Sequence, residues 1–212
     1  MNQHPAFPYQ LYLVISEADC REKDFLKVAE DAILGGVDII QLREKNTGTK
    51  EFLHKALQLK EITEKYNIPL VINDHPEVAE KTEAAGIHVG NSDTAPIVLR
   101  DQIYFKDKMI GYSIEYLQQL ENKQTAVSDY LGVSPIFSTK TKQDTVTEWG
   151  LDGLSLIRSL TDKPLVAIGN ISLKNAEMIM KAGANSLAVV SAICAAEHPE
   201  KAAYELKNEI LK

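Results

Sequence analysis

The sequence predicts a (β/α)₈ barrel, a TIM barrel of the α/β class, formed by a single domain over residues 1–212. Three observations carry that prediction. Eight apolar runs rich in Val, Ile, Leu and Tyr recur along the chain, separated by stretches in which apolar residues follow helical spacing. The repeat is about 26 residues, enough for a strand, a helix and two short connections. Each run also ends in polar or small residues just before a helical stretch, which gathers functional groups at one end of a closed sheet. A doubly wound open sheet is the rival arrangement, but it rarely needs eight strands in so short a chain.

The runs fall at 11–15, 37–42, 69–73, 86–90, 109–113, 130–134, 164–169 and 185–190. Their near-continuous apolar character suits parallel strands covered on both faces. Residues 24–34 show the helical period and close on Gly35-Gly36, a C-cap signal. Residues 49–66 follow the same period from Thr49, the expected N-cap. Helical stretches at 76–84, 115–122, 150–160, 173–182 and 195–211 complete the set, with a short one at 94–100. No Gly/Ser/Pro-rich linker or charge run divides the chain.

Composition excludes several classes of partner. With 44% apolar and 25% charged residues, the chain reads as an ordinary soluble globular protein. A formal charge of −7 argues against a nucleic-acid or membrane-surface partner, because phosphate backbones need a basic face. An anionic ligand must then be held by a local basic cluster. Cys20 and Cys194 lack metal-like spacing and are expected to be reduced thiols of a cytoplasmic protein. The start of the chain is not basic, and the run at 11–15 is too short for a signal core or a membrane span.

The tips hold the chemistry. At the second, Gln41, Arg43 and Lys45 alternate along an extended segment and project to one side. Two cations and an amide suit a diphosphate, and a solvated loop with Arg43 paired to Glu44 is the competing reading. Asp74 and Asp93 close the third and fourth tips. Two carboxylates with phosphate oxygens and water make the octahedral oxygen site that Mg²⁺ prefers. Each aspartate would serve equally as a helix N-cap, and the two together as a general acid/base pair. The sixth tip carries Ser138, Thr139, Lys140, Thr141 and Lys142, the makeup of a phosphate-grasping lid or of a plain solvated loop. At the seventh and eighth tips, Gly169-Asn170 and Val190-Ser191 open helical stretches whose N–H groups suit an anion, while Ser172 is the simpler N-cap. His88 is read as a hydrogen-bonded core residue and Trp149 as packing. Dinucleotide fingerprint, Walker loop, nucleophile elbow and strand-interior lysine are all missing, so covalent catalysis is unsupported.

Taken in order, these tips resemble the thiamine-phosphate synthase family. The carrying residues are Gly35-Gly-Val-Asp-Ile-Ile-Gln-Leu-Arg-Glu-Lys45, Ile72-Asn-Asp74, Gly86-Ile-His-Val-Gly90 with Asp93, Ile110-Gly-Tyr-Ser113, Pro135-Ile-Phe-Ser-Thr-Lys-Thr-Lys142, Val166-Ala-Ile-Gly169 and Val189-Val-Ser-Ala-Ile193. The resemblance implies an enzyme that couples an aminopyrimidine methyl diphosphate with a thiazole phosphate and releases pyrophosphate. It implies Mg²⁺ on Asp74 and Asp93. It implies that Gln41, Arg43, Lys45, Asn73, Ser113 and Lys142 hold the pyrimidine diphosphate, and that Arg43, Lys45 and Lys142 stabilise the leaving group. Thr139, Lys140, Thr141, Gly169, Asn170, Val190 and Ser191 would line the rest of the substrate site. Barrels of this kind commonly pair, so a homodimer is expected.

Some positions depart from the family pattern. Asn170 stands where a second glycine is usual, Asn91 where Gln is frequent, and Ser134 where glycine is usual. Ser138 replaces a proline and Lys140 a threonine. The related thiazole tautomerases share the barrel and isomerise the thiazole, and a non-catalytic phosphate-binding barrel is a further alternative.

Overall fold

Strands β1 (Leu11–Ile15), β2 (Ile39–Leu42), β3 (Leu70–Asn73), β4 (Gly86–Val89), β5 (Met109–Ile114), β6 (Tyr130–Val133), β7 (Leu165–Ile168) and β8 (Ser186–Val189) pair in chain order, all parallel, and β8 closes on β1. The computed structural model describes residues 4, 6–138 and 147–212. Around the barrel lie α1 (Phe25–Leu34), α2 (Thr49–Lys65), α3 (Pro76–Lys81), α4 (Pro96–Arg100), α5 (Lys123–Val127), α6 (Gly150–Leu160), α7 (Ala176–Lys181), α8 (Ser191–Cys194) and α9 (Pro199–Ile210). The (β/α)₈ barrel is as expected. Among the described residues, no helix is long and apolar enough to cross a membrane.

Alternation along each strand divides the core in two. Leu13, Ile15, Ile40, Leu42 and Ile72 are fully buried against the helices, each contributing about 1.5–3 kcal/mol of transfer free energy. The intervening Tyr12, Val14, Ile39, Val71, Tyr130, Val166 and Ala188 form a separate cluster inside the barrel, closed at one end by Phe7. The Phe7 ring lies 4.7 Å from that of Tyr130. The interior above this apolar plug turns polar toward the C-terminal strand ends, where Gln41, Asn73, His88 and Ser113 sit.

Several element ends differ from expectation, each for a local reason. Gly48 is the N-cap of α2 and Thr49 is its first residue, with the Thr49 hydroxyl 3.1 Å from His75 Nε2. The stretch at 115–122 is a 3₁₀ turn, Leu117–Glu121, and α5 follows because the Asn122 side chain accepts from Thr125 N–H and caps it. The stretch at 195–211 starts later, as α9 with Pro199 in its first turn, and a separate turn of helix, α8, precedes it at Ser191–Cys194. Ser172 does not cap α7: the helix begins at Ala176 behind Asn175, whose side chain instead accepts from Ser172 N–H.

Candidate active site

One cavity of about 290 Å³ opens at the C-terminal strand ends, lined by Gln41, Arg43, Lys45, Asn73, Asp74, Asp93 and Ser113. All seven were named from the sequence, and they arrive from the ends of β2, β3, β4 and β5. A smaller compartment of about 80 Å³ is lined by Gly169, Asn170, Val190 and Ser191 from the seventh and eighth tips. The two adjoin: Val14, Arg43, Ser134, Ile168 and Ala188 line both. Thr139, Lys140, Thr141 and Lys142 lie outside the described residues.

The competing capping roles for the aspartates do not hold. His75 is the N-cap of α3, its Nδ1 accepting from Val78 N–H, so the Asp74 carboxylate is left to the cavity. Asp74 itself sits at φ 60, a left-handed geometry that Asp tolerates better than most residues, with its N–H bound to the His88 carbonyl at 2.9 Å. Ala95 is the N-cap of α4, and Asp93 instead closes its own loop by accepting from Gly90 N–H at 2.8 Å.

Charge is arranged in layers. Lys45 Nζ stands 3.0 Å from Asp74 Oδ2. Burial, and then the neighbouring Asp74 carboxyl, push Asp93 above the usual carboxylate range. Two adjacent carboxyls with one lysine at their edge form a hard, oxygen-donor site. Among the described residues, no group of three or more His, Cys, Asp and Glu side chains converges on one point. Glu44 does not pair with Arg43. Its carboxylate takes the Glu17 N–H at 2.8 Å, the Thr47 hydroxyl at 2.9 Å and Lys55 Nζ at 3.4 Å. Among the described residues Arg43 makes no ion pair, and it borders both compartments.

The floor of the cavity holds residues that the sequence did not mark as functional. Gln41 Nε2 donates to Tyr12 Oη at 2.9 Å, and Tyr12 Oη lies 2.9 Å from Tyr130 Oη. Tyr130 Oη is 3.1 Å from His88 Nδ1, and His88 Nε2 is 3.0 Å from Ser113 Oγ. His88 is thus hydrogen-bonded, as expected, yet it also lines the cavity. Tyr12 lies two residues from Val14 on the same strand face, and register sets Val14 beside Gln41, the one signal that it shares the barrel interior. Glu115 lines the rim, where it accepts from the Asn91 amide at 2.6 Å.

The turn at 169–170 has left-handed backbone. Gly169 has φ 118 and Asn170 φ 52. A Cβ at Gly169 would stand 2.6 Å from Pro135 Cβ, so only glycine fits there. The Asn175 amide fastens the turn, donating to the Asn170 carbonyl at 2.9 Å.

Residues 11–193 match the family described as thiamine monophosphate synthase. The thiamine-phosphate synthase of Albidiferax ferrireducens is 44% identical, over 95% of this chain and 91% of that protein. The thiamine-phosphate synthase of Alkaliphilus oremlandii is 41% identical, over 99% of this chain and the whole of that protein. The structure of a thiamine phosphate pyrophosphorylase from Pyrococcus furiosus superposes with a TM-score of 0.85 at 30% identity, covering 96% of each chain.

Proposed function

The chain belongs to the thiamine monophosphate synthase family, and on that premise we propose that it couples an aminopyrimidine methyl diphosphate with a thiazole phosphate. The products are thiamine phosphate and pyrophosphate. The observation that supports this best is the joined pair of compartments meeting at Arg43, one with paired carboxylates and a lysine, the other walled by two backbone turns.

Gln41, Asn73 and Ser113 bind the pyrimidine in the larger compartment, where buried amides and a hydroxyl match ring nitrogens and an exocyclic amine. Arg43 and Lys45, with Lys142, hold the diphosphate. The backbone at 169–170 and 190–191, with Thr139, Lys140 and Thr141, holds the thiazole phosphate. The bond from the pyrimidine methylene to the diphosphate oxygen breaks with its electron pair on oxygen, and the thiazole nitrogen lone pair forms the new C–N bond. Negative charge therefore concentrates on the departing group, so these cations favour the transition state over the bound substrate. Confining both partners converts a two-molecule encounter into an ordered one, and a site closed to water protects the cation-like carbon.

Asp74 and Asp93 fit Mg²⁺, because two hard oxygen donors lie side by side and burial, with the Asp74 carboxyl, already disfavours the negative charge of Asp93. When bound there, Mg²⁺ supplies positive charge that offsets the diphosphate. Incubation with both substrates and Mg²⁺ tests the proposal: thiamine phosphate and pyrophosphate should appear in equal amounts. Isomerised thiazole without thiamine phosphate would identify a tautomerase instead, and ligand binding without turnover a non-catalytic barrel.

A further inference from the structure

Tyr12, Gln41, His88, Ser113 and Tyr130 come from five different strands and form a hydrogen-bond chain beneath the cavity. Its direction is fixed at one end. Gln41 meets Tyr12 through its amide nitrogen, which only donates, so the Tyr12 oxygen accepts there. The Tyr12 proton then has the Tyr130 oxygen as its acceptor among the described residues. Tyr130 donates in turn to His88 Nδ1, which leaves the imidazole proton on Nε2, facing Ser113 Oγ. The Ser113 hydroxyl proton remains for the cavity that Ser113 lines. The opposite direction makes Tyr12 accept twice and strands its own proton at 1% exposure, the arrangement that buried polar groups avoid. Burial raises both phenols well above their ordinary range, so both carry their protons at neutral pH.

The strands make room for this chain at the cost of two side chains. A Cβ at Gly111 would lie 2.1 Å from Tyr130 Cζ and 2.4 Å from His88 Nδ1, and one at Gly132 would lie 2.9 Å from His88 Cε1. The His88 ring stacks on that of Tyr130 at 5.5 Å.

We propose that Tyr130 is a positioning residue, which holds His88 as the Nε2–H tautomer and thereby presents Ser113 to the substrate as a hydrogen-bond donor. The floor thus selects a ring with an acceptor nitrogen facing Ser113. The selectivity rests on the pyrimidine-coupling function proposed above; the tautomer does not.

Nitrogen-15 NMR of histidine-labelled protein, with His88 assigned by its loss in His88→Gln, reads the tautomer directly. The wild-type protein should show Nε2–H with Nδ1 as acceptor, and Tyr130→Phe should lose that preference. In kinetics, Tyr130→Phe should raise the pyrimidine diphosphate KM about tenfold while the thiazole phosphate KM stays within about twofold. Adding Ser113→Ala to it should raise that KM little further, because both changes remove the same contact. Should Tyr130→Phe fail to fold, Tyr12→Phe and the wild-type tautomer decide. An Nδ1–H tautomer or an imidazolium in the wild-type protein overturns the proposal, as does full additivity of the two substitutions. A protein that couples no substrates refutes the proposed function, and the NMR result still decides the direction of the chain.

Discussion

Lys45 and Asp74 face each other across the mouth of the cavity, with Nζ 3.0 Å from Oδ2. Lys45 is about half exposed, so solvent screens the pair and its contribution to stability is at most about 1 kcal/mol. Its value lies in placing a cation beside a carboxylate where a diphosphate would dock. Asp74→Asn should therefore leave the melting temperature within about 3 °C of wild type. Turnover should fall on the order of a hundredfold, the scale for removing a key charge-stabilising group. A chelator should do the same to the unaltered protein. Thermal melts and Mg²⁺ titrations of the rate check both parts, and full turnover in chelator contradicts the metal role.

Lys55 anchors the segment that carries Arg43 and Lys45. Its Nζ reaches Glu17 at 2.7 Å, Glu51 at 3.3 Å and Glu44 at 3.4 Å, and the Glu44 side chain is only 6% exposed. Lys55→Met removes the cation from that buried carboxylate, leaving it only the Glu17 N–H and the Thr47 hydroxyl, and should cost about 3 kcal/mol in chemical denaturation. Burial alone would lower the lysine, but its acidic partners prevail and raise it from 10.5 to about 12. A folded-state value above the unfolded one gives stability that is complete below pH 10.5 and lost as pH rises through about 12. The gap between wild type and Lys55→Met should hold constant through neutral pH and narrow only in that alkaline window.

The turn at 169–170 makes a sharper test of the thiazole side. With Asn170 at φ 52, Asn170→Gly keeps the backbone without steric cost. Turnover should be unchanged and the thiazole phosphate KM slightly lower, with the pyrimidine diphosphate KM unaffected. Gly169→Ala has no such latitude, because its Cβ would meet Pro135 while φ stays at 118. That change should raise the thiazole phosphate KM well beyond tenfold, about the effect of a misplaced phosphate contact with a charged group. Steady-state kinetics with each substrate varied separately separate the two.

The strands and the charged tips were legible in the sequence, because continuous apolar runs and their polar ends are local signals. Helix ends were less so: His75 rather than Asp74 caps α3, and Gly48 rather than Thr49 caps α2, since tertiary contacts choose among adjacent capping residues. The polar floor was hidden for a different reason. Tyr12 and Tyr130 read as aromatic fillers of buried strands, and only closure of the barrel brings two phenols 118 residues apart to 2.9 Å. Partnership of that kind has no sequence period.

Asp93 distinguishes the two compartments, because it lines the larger cavity and not the smaller one. The most direct measurement is the coupling rate of Asp93→Ala alongside its affinity for thiazole phosphate alone. The rate of thiamine phosphate formation should fall about a hundredfold or more, while the thiazole phosphate Kd stays within about twofold of wild type. Full-rate coupling by Asp93→Ala would contradict the account, as would loss of thiazole phosphate binding in parallel with the rate.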